Sequence, residues 1–246
     1  MDHTNRIPKI IHYCWFGAKE KPEIVKKCME SWRKNLPLYE IVEWNETNFD
    51  IHSNTYVKQA YDAGKFAFVS DYVRVYVLYH YGGIYLDTDV EVFKSFDDLL
   101  YHRSFWGFEQ ENYIATSTIG AERGNVLIKQ FLDSYHGKKF LNEDGTFNSL
   151  TNVAIITELL EWLGLEKNGQ HQEIKGMGVF YPQSYFSPYD YINCRKFLTE
   201  HTYTIHYFHK SWLPLKARMK SNMKSILAVC IGGENIARIR KVIGGN

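Results

Sequence analysis

The 246-residue sequence lacks the features that mark membrane-spanning, disulfide-stabilised and nucleic-acid-binding proteins. It has no run of about 20 consecutive apolar residues, which a bilayer-spanning helix needs. Its four cysteines form no CxxC pair and no zinc spacing, so we expect reduced thiols in a cytosolic protein without a signal peptide. The formal net charge of +1 provides no global field for nucleic acid, and we expect no such partner.

Aromatic residues, by contrast, are abundant and make up 16% of the chain. Their flat faces suit ligands such as sugars or bases, and a thick aromatic core gives the same figure. The length suits one large domain, or one domain with a small appendage.

The first part of the chain alternates between strand and helix patterns. "IPKIIHYCWFG" (7–17) and "YEIVEWN" (39–45) have the composition and alternation of strands. The segments 21–37 and 54–68 show helical spacing, and the second is predicted to end near Gly64. This order predicts an α/β sheet.

An apolar helix with two charged residues follows. We predict that Ser70 caps it, that Asp71 lies in its first turn and that the glycine pair after "YHY" ends it. Because the helix is apolar nearly all round, it should be buried. Asp71 and Arg74 are spaced i and i+3 and share one face. They form either a structural ion pair or part of a site for a phosphorylated, polyhydroxylated ligand.

The strand predicted after the glycines, "GGIYLDTDVEVF", contains two aspartates where charge is unexpected. On a strand, Asp87 and Asp89 would face the same side about 7 Å apart, with Glu91 in the same phase. Paired carboxylates at a strand end suit Mg²⁺ or Mn²⁺, which leave other positions to water and substrate phosphates. D-x-D alone is a weak signal, and taken by itself a solvated strand end explains it better than a metal site does.

The second half of the chain predicts further strands and helices. From residue 215 it becomes basic, with apolar residues interspersed, which suits either an amphipathic tail on an anionic membrane surface or a helix packed on the domain. We predict strands at 105–108, 114–120 and from 202, helices at 124–136 and 149–165, and an aromatic loop at 178–191.

Three segments carry a resemblance to a known family. "FAFVSDYVRVYVLYHYGGIYLDTDV" resembles the signature of glycosyltransferase family 32, "IPKIIHYCWFG" its opening strand, and "IHYFHKSW" its closing H-x-x-x-x-S-W segment. The matches span 7–212 in the family's order. The family includes yeast-type initiating mannosyltransferases and bacterial capsule and lipopolysaccharide sugar transferases, and is similar to the glucosylating domain of large clostridial toxins.

The resemblance implies an α/β fold of the GT-A type, a Rossmann-like nucleotide-diphospho-sugar transferase domain over 1–214 with a helical appendage over 215–246. Asp89 would bind the metal, Mn²⁺ or Mg²⁺, directly. Asp87 would contact the ribose and the donor sugar, and the metal mainly through water. Asp71 and Arg74 would hold the donor sugar hydroxyls.

The remaining predicted site residues lie near the two ends of the resemblance. Trp15 would stack on the nucleotide base, or is a core residue after the first strand. His206 would supply a late metal ligand, or is structural. Lys210, Ser211 and Trp212 would form a loop that closes on the diphosphate.

The implied activity is a metal-dependent, retaining hexosyl transfer. The donor is expected to be a UDP-sugar, with GDP-mannose as the alternative, and the acceptor a glycan or lipid-linked oligosaccharide of surface polysaccharide synthesis. A same-face displacement is the simplest mechanism, and Asp71 as a transient nucleophile is the other. We expect a cytoplasmic location, with peripheral binding at the inner face of the plasma membrane if the tail binds lipid.

Two other functions fit parts of the pattern. "YLDTDV" resembles the D-x-D of haloacid dehalogenase-type phosphatases, although that motif normally lies on the first strand. A non-catalytic sugar- or nucleotide-binding module would explain D-x-D and the aromatics but not a buried Asp71–Arg74 pair.

Overall fold

The computed structural model describes residues 4–148, 150–191, 193 and 195–209. The strands are β1 Ile10–Cys14, β2 Glu40–Trp44, β3 Gly83–Leu86, β4 Val90–Val92, β5 Ser104–Gly107, β6 Thr118–Ala121, β7 Gln172–Ile174, β8 Gly178–Tyr181, β9 Tyr189–Asp190, β10 Arg195–Lys196 and β11 Thr204–His206. The α-helices are α1 Glu23–Asn35, α2 Thr55–Asp62, α3 Phe66–Tyr81, α4 Val126–Asp133, α5 Asn152–Trp162 and α6 Gln183–Phe186.

Seven strands form one mixed sheet in the order β2-β1-β3-β6-β5-β8-β7. β1, β2, β3, β5 and β8 run in one direction, whereas β6 and β7 run in the other. The carboxyl ends of the five co-directional strands therefore lie at one edge. Two antiparallel pairs, β4–β11 and β9–β10, complete the β-structure. The predicted α/β fold is confirmed, and a mixed sheet of this kind agrees with the GT-A type that the resemblance implies.

The central strands β3, β5, β6 and β8 are buried on both faces, which explains why they contain no charged residue, whereas the edge strands β2 and β7 are partly exposed and contain glutamates. Alternate residues of β3 show the two sides: Tyr85 packs in the core beneath α2–α5, while Ile84 and Leu86 pack in the core with α1. Phe105 and Trp106 on β5 divide in the same way. The sheet is thus a rigid middle layer whose carboxyl edge can hold a site.

Two glycines connect α3 to β3, as predicted. Gly82 and Gly83 have φ of 67° and 106°, and a Cβ on Gly83 would lie 2.7 Å from the carbonyl oxygen of Ile10. His12 Nε2 donates to the carbonyl oxygen of Gly82 at 2.8 Å, and Trp44 Nε1 donates to His12 Nδ1 at 3.1 Å. Burial lowers the pKa of His12 to about 4, so the ring is neutral and fixes this turn.

The start of α3 differs from the prediction. The helix begins at Phe66 instead of after Ser70, whose hydroxyl donates to the carbonyl oxygen of Phe66 inside the helix. Asp71 consequently lies in the second turn, not the first. The preceding helix ends near Gly64, as predicted, and the chain enters α3 almost at once. Serine can bond back to the helix or cap it, and the local sequence does not decide between the two.

The predicted aromatic loop at 178–191 is also wrong in part. Its first residues form β8, which is buried at every position and pairs in parallel with β5, and α6 follows. A short apolar run carries no periodicity, so only its pairing with β5 identifies it as a strand. The helices α1, α4 and α5 and the strand β11 lie within their predicted segments.

Part of the prediction falls on residues that the structure does not describe. The tail, 215–246, lies outside the described residues, so the division into 1–214 and 215–246 stays a prediction. Within the described residues, the helices are all too short or too polar to cross a membrane.

Candidate active site

Charged side chains from three separate elements meet at the carboxyl edge of the sheet. α3 supplies Asp71 and Arg74, the turn after β3 supplies Asp87 and Asp89, and the end of β11 supplies His206. Their contacts form two groups, one around Arg74 and one made of Asp89 and His206. The convergence predicted from the resemblance is therefore present in the described part of the chain.

The two aspartates lie in a tight turn, not on one strand. β3 ends at Leu86, and the Val90 N–H donates to the carbonyl oxygen of Asp87 at 3.0 Å before β4 begins. The prediction that strand alternation places both carboxylates on one face is therefore wrong, although both do follow a strand end. The turn lets each carboxylate contact a different partner.

Arg74 is the centre of the first group, and all three of its guanidinium nitrogens contact protein oxygens. Nη2 lies 2.9 Å from Asp71 Oδ1 and 3.2 Å from Asp87 Oδ1. Nη1 donates to Asp87 Oδ2 at 3.3 Å and to the Thr116 carbonyl oxygen at 2.7 Å. Nε donates to the carbonyl oxygen of Ser70 at 3.4 Å. The guanidinium thus holds both carboxylates against the end of the sheet.

This geometry indicates that Arg74 positions the two carboxylates. Its side chain is 6% exposed, against 17% for Asp71 and 23% for Asp87. Tyr85 supports the group from beneath, since the guanidinium lies 4.7 Å from its ring and its hydroxyl donates to Asp87 Oδ1 at 3.1 Å. The carboxylates face the site, while Arg74 positions them. Direct binding of the donor sugar hydroxyls by Arg74 stays a prediction.

Asp71 is the most perturbed carboxyl of this group. Burial raises its pKa to about 6; the Arg74 charge opposes this shift, and the Asp87 charge adds to it. The group therefore ionises at neutral pH at a cost in free energy. Such groups are concentrated at functional sites, although structural ion pairs show them too.

Asp89 and His206 form the second group. His206 Nε2 lies 3.2 Å from Asp89 Oδ1, and the His209 N–H donates to Asp89 Oδ2 at 2.7 Å. Burial alone would raise the pKa of Asp89, but the charge and hydrogen bond of His206 outweigh it and hold that pKa at about 2. Burial likewise opposes protonation of His206, yet Asp89 raises its pKa. The two side chains are a compact pair of oxygen and nitrogen donors.

The donor set partly fits a divalent cation. Within the described ranges, no three His, Cys, Asp or Glu side chains are grouped to hold a metal ion. Asp89 and His206 nevertheless offer one carboxylate and one imidazole, and His206 Nδ1 is buried without a hydrogen-bond partner. A cation of the Mg²⁺ or Mn²⁺ kind uses few protein ligands and takes substrate phosphates and water for the rest. Asp87, committed to Arg74, is not positioned as a direct ligand.

Glu109 is a site residue that the sequence analysis missed. It lies two residues beyond β5, at the same edge of the sheet as Asp87. Burial raises the pKa of its carboxyl to about 7, while His206 and Arg74 oppose the shift and Asp87 adds to it. These interactions place Glu109 beside both groups. No motif marks it, and only the pairing of β5 and β3 with β6 shows where it lies.

Trp15 lies at the same edge, directly after β1. Its indole is half-buried, donates through Nε1 to the Lys19 carbonyl oxygen at 2.7 Å and lies 5.4 Å from Lys21 Nζ. Part of the ring is accessible, and its stacking on a base stays a prediction. The predicted loop residues Lys210, Ser211 and Trp212 lie outside the described residues.

Comparison with known families identifies the region that contains most of these residues. Residues 22–106 match the family described as a glycosyltransferase sugar-binding region containing a DXD motif. Asp71, Arg74, Asp87 and Asp89 all fall within this match. The resemblance found in the sequence is thereby confirmed.

Characterised relatives include fungal enzymes. Inositol phosphoceramide mannosyltransferase 3 of Schizosaccharomyces pombe is 31% identical over 132 residues, which cover 50% of this chain and 36% of that protein. Mannosyl phosphorylinositol ceramide synthase CSH1 of Saccharomyces cerevisiae is 26% identical, covering 66% of this chain and 46% of the yeast protein. The matched part is therefore less than half of each of these relatives.

Two solved glycosyltransferases share a loose likeness of structure. PaToxG glycosyltransferase is 20% identical with a TM-score of 0.47, covering 63% of this chain and 69% of that one. The galactosyltransferase LgtC is 13% identical with a TM-score of 0.45, covering 90% of this chain and 95% of that one.

Proposed function

We propose that this chain, which carries the DXD-containing sugar-binding region of glycosyltransferases, transfers a hexose from a nucleotide diphosphate sugar to an acceptor hydroxyl. One observation carries the proposal: the buried Arg74 presents Asp71 and Asp87 beside the Asp89–His206 pair. This arrangement supports a sugar ring bound beside Asp71 and Asp87, and a diphosphate bound through a cation held by Asp89 and His206.

The charges of the reaction match this arrangement. Breaking the bond between the anomeric carbon and the diphosphate oxygen leaves positive charge on the ring and negative charge on the leaving group. Asp71 and Asp87 would stabilise the ring charge because Arg74 fixes them in a partly desolvated site. The acceptor oxygen then bonds to the same face of the anomeric carbon, and the leaving phosphate oxygen takes the hydroxyl proton.

A bound divalent cation would neutralise charge that develops on the diphosphate. Asp89 and His206 are the residues that would hold it. Because a histidine binds a metal ion as the neutral imidazole, His206 would give up the proton that Asp89 stabilises when the cation binds.

The candidates for donor and acceptor come from two sources. The resemblance favours a UDP-sugar and a glycan or lipid-linked acceptor, whereas the names of the fungal relatives add mannose and inositol phosphoceramide. The retaining outcome, the role in surface polysaccharide synthesis and the location at the inner membrane face are parts of the same proposal.

A panel of sugar nucleotides tests the proposal. UDP-galactose, UDP-glucose, UDP-N-acetylglucosamine and GDP-mannose are incubated with protein and Mn²⁺, and slow donor hydrolysis is followed without an acceptor. One donor should be cleaved, and Asp89→Asn should reduce cleavage by about two orders of magnitude or more, since removal of one electrostatic stabiliser has that scale. The matched control is Asp62→Asn, because Asp62 is exposed and forms an ion pair with Lys58 on the surface of α2.

The outcomes separate the alternatives. Phosphate release from sugar phosphates would support the phosphatase, although Asp87 is bound by Arg74 and Tyr85 and is not a free nucleophile. Nucleotide binding without cleavage of any donor would support the non-catalytic module. Equal cleavage by wild type and Asp89→Asn would reject the assignment of Asp89.

A further inference from the structure

A cavity outside the candidate active site lies between the start of α2 and the segment that follows α4. It measures about 280 Å³ and has no carboxylate in its lining. The residues that line it are Asn54, Thr55, Tyr135, Gly137, Lys138 and Lys139. A Cβ on Gly137 would meet no atom within 4 Å, so the cavity is open beside that residue.

The Lys138 ammonium in this cavity makes no ion pair within the described part of the chain, and Asp71 acts on it only from beyond ion-pair distance. It lies 5.1 Å from the Tyr135 ring centroid and 5.8 Å from that of Tyr56, and no described carboxylate lies within ion-pair distance of it. Lys58 and Lys129, by comparison, each pair with an aspartate one helical turn away. Lys139 adds a second, exposed charge to the same wall.

A half-buried ammonium without an anion carries a desolvation cost that the tyrosine rings offset only in part. Burial lowers the pKa of Lys138, and the charge of Asp71 acts against that shift. An anion in the cavity would remove the cost. Two adjacent lysines suit a group with several negatively charged oxygens, which describes a phosphate better than a single carboxylate.

The cavity is connected to the candidate active site through its wall. The Tyr135 hydroxyl donates to Asn152 Oδ1, and Asn152 Nδ2 donates to the carbonyl oxygen of Asp71 at 2.8 Å. Because Lys138 also interacts electrostatically with Asp71, the cavity lies next to the end of the site assigned to the donor sugar. Under the proposed function, the acceptor hydroxyl would approach the anomeric carbon near Asp71, on the side of this cavity.

We infer that this cavity binds a phosphate group of the acceptor and thereby selects acceptors whose hydroxyl lies near a phosphate. The assignment of this phosphate to an acceptor rests on the proposed function. The phosphate would contact Lys138 and Lys139, and it belongs either to a soluble sugar phosphate or to a lipid headgroup.

Direct binding is tested with inorganic phosphate, without nucleotide or metal. The side-chain resonances of ¹³C-labelled lysine are followed during the titration in wild type, Lys138→Met, Lys138→Arg and the control Lys129→Met. We expect a saturable shift in wild type and Lys129→Met, an affinity loss of about tenfold or more in Lys138→Met, and recovery in Lys138→Arg, which restores the charge. No saturable shift in wild type, or equal affinity in folded Lys138→Met, would overturn the inference.

Acceptor choice is tested with glucose and glucose 6-phosphate, using the donor found in the sugar-nucleotide panel. The ratio of transfer to the phosphorylated over the neutral acceptor should exceed one in wild type and fall about tenfold or more in Lys138→Met. Vesicles with phosphatidylinositol, compared with phosphatidylcholine alone, distinguish a lipid headgroup from a soluble phosphate. If no donor is cleaved, the proposed function fails, and the phosphate titration still decides whether the cavity binds phosphate. A ratio that Lys138→Met leaves unchanged rejects the role in acceptor choice.

Discussion

Replacing Asp71 by asparagine should make the protein more stable at high pH relative to low pH, while removing its activity. The pKa of Asp71 is raised from 3.8 to about 6 by burial, so the folded state resists ionisation of this carboxyl. A carboxyl with a raised folded pKa contributes stability that is complete below its unfolded value and is lost as pH rises through its folded value. Asparagine cannot ionise and therefore escapes this loss.

The size of the effect follows from the shift. A difference of about two pKa units, at about 1.4 kcal/mol per unit, gives about 3 kcal/mol over the whole range. Between about pH 4.5 and pH 8, the linkage relation leaves about 2 kcal/mol of this change, because Asp71 already ionises in the unfolded chain at the lower pH. Using the difference between two pH values cancels any constant effect of the asparagine amide.

Urea unfolding of both proteins at the two pH values measures this quantity. The free energy of unfolding of Asp71→Asn minus that of wild type should increase by about 2 kcal/mol from the lower to the higher pH. Asp62→Asn is the control, since Asp62 is exposed, and its difference should stay constant. If the Asp71→Asn difference is the same at both pH values, or decreases with rising pH, the ionised carboxylate is not destabilising and our account of the Arg74 group is wrong.

The other predictions concern Arg74, Glu109 and His12. Arg74→Lys should stay folded yet lose most of its kcat, because an ammonium cannot hold Asp71 and Asp87 together, and a change in KM alone would contradict the positioning role. Arg74→Met should lower the free energy of unfolding in urea by about 3–5 kcal/mol, because it leaves buried charges unpaired. Glu109→Gln should reduce transfer without loss of stability, because its carboxyl, with a pKa near 7, is costly to ionise where it lies; unchanged kinetics would remove Glu109 from the site. Because the pKa of His12 is lowered to about 4, the wild type should lose about 3 kcal/mol of stability through this residue as pH falls from 6.5 to 4. His12→Gln should lose less stability over that interval. If both proteins lose the same amount, the His12 ring is not neutral in the folded state.

Much of the architecture was predictable because its signals are local. The i, i+3 spacing put Asp71 and Arg74 on one face of a buried helix, and the ion pair at 2.9 Å confirms it. The glycine pair at 82 and 83 predicted the end of that helix, since only glycine tolerates the left-handed backbone found there. These features depend on residues close together along the chain, so the sequence alone gives their spacing.

The predictions that failed concern choices that local sequence leaves open. Ser70 could cap a helix or bond back within one, and "LDTDV" could continue a strand or turn. The turn at "LDTDV" is held by distant partners: the Asp87 N–H donates to the carbonyl oxygen of Ser117 at 2.9 Å, and the Asp89 carboxylate accepts from the His209 N–H. The two aspartates consequently serve different groups.

By itself, the sequence determined the α/β class, the buried helix and most of the residues of the proposed site. Only the tertiary structure decided that Arg74 holds Asp71 and Asp87, that Glu109 lies at the same edge of the sheet and that Lys138 makes no ion pair with a described residue. The reason is physical. Secondary structure follows from spacing along the chain, whereas the free energy of a charge depends on what surrounds it, and in this sheet those surroundings come from strands and helices far apart in sequence.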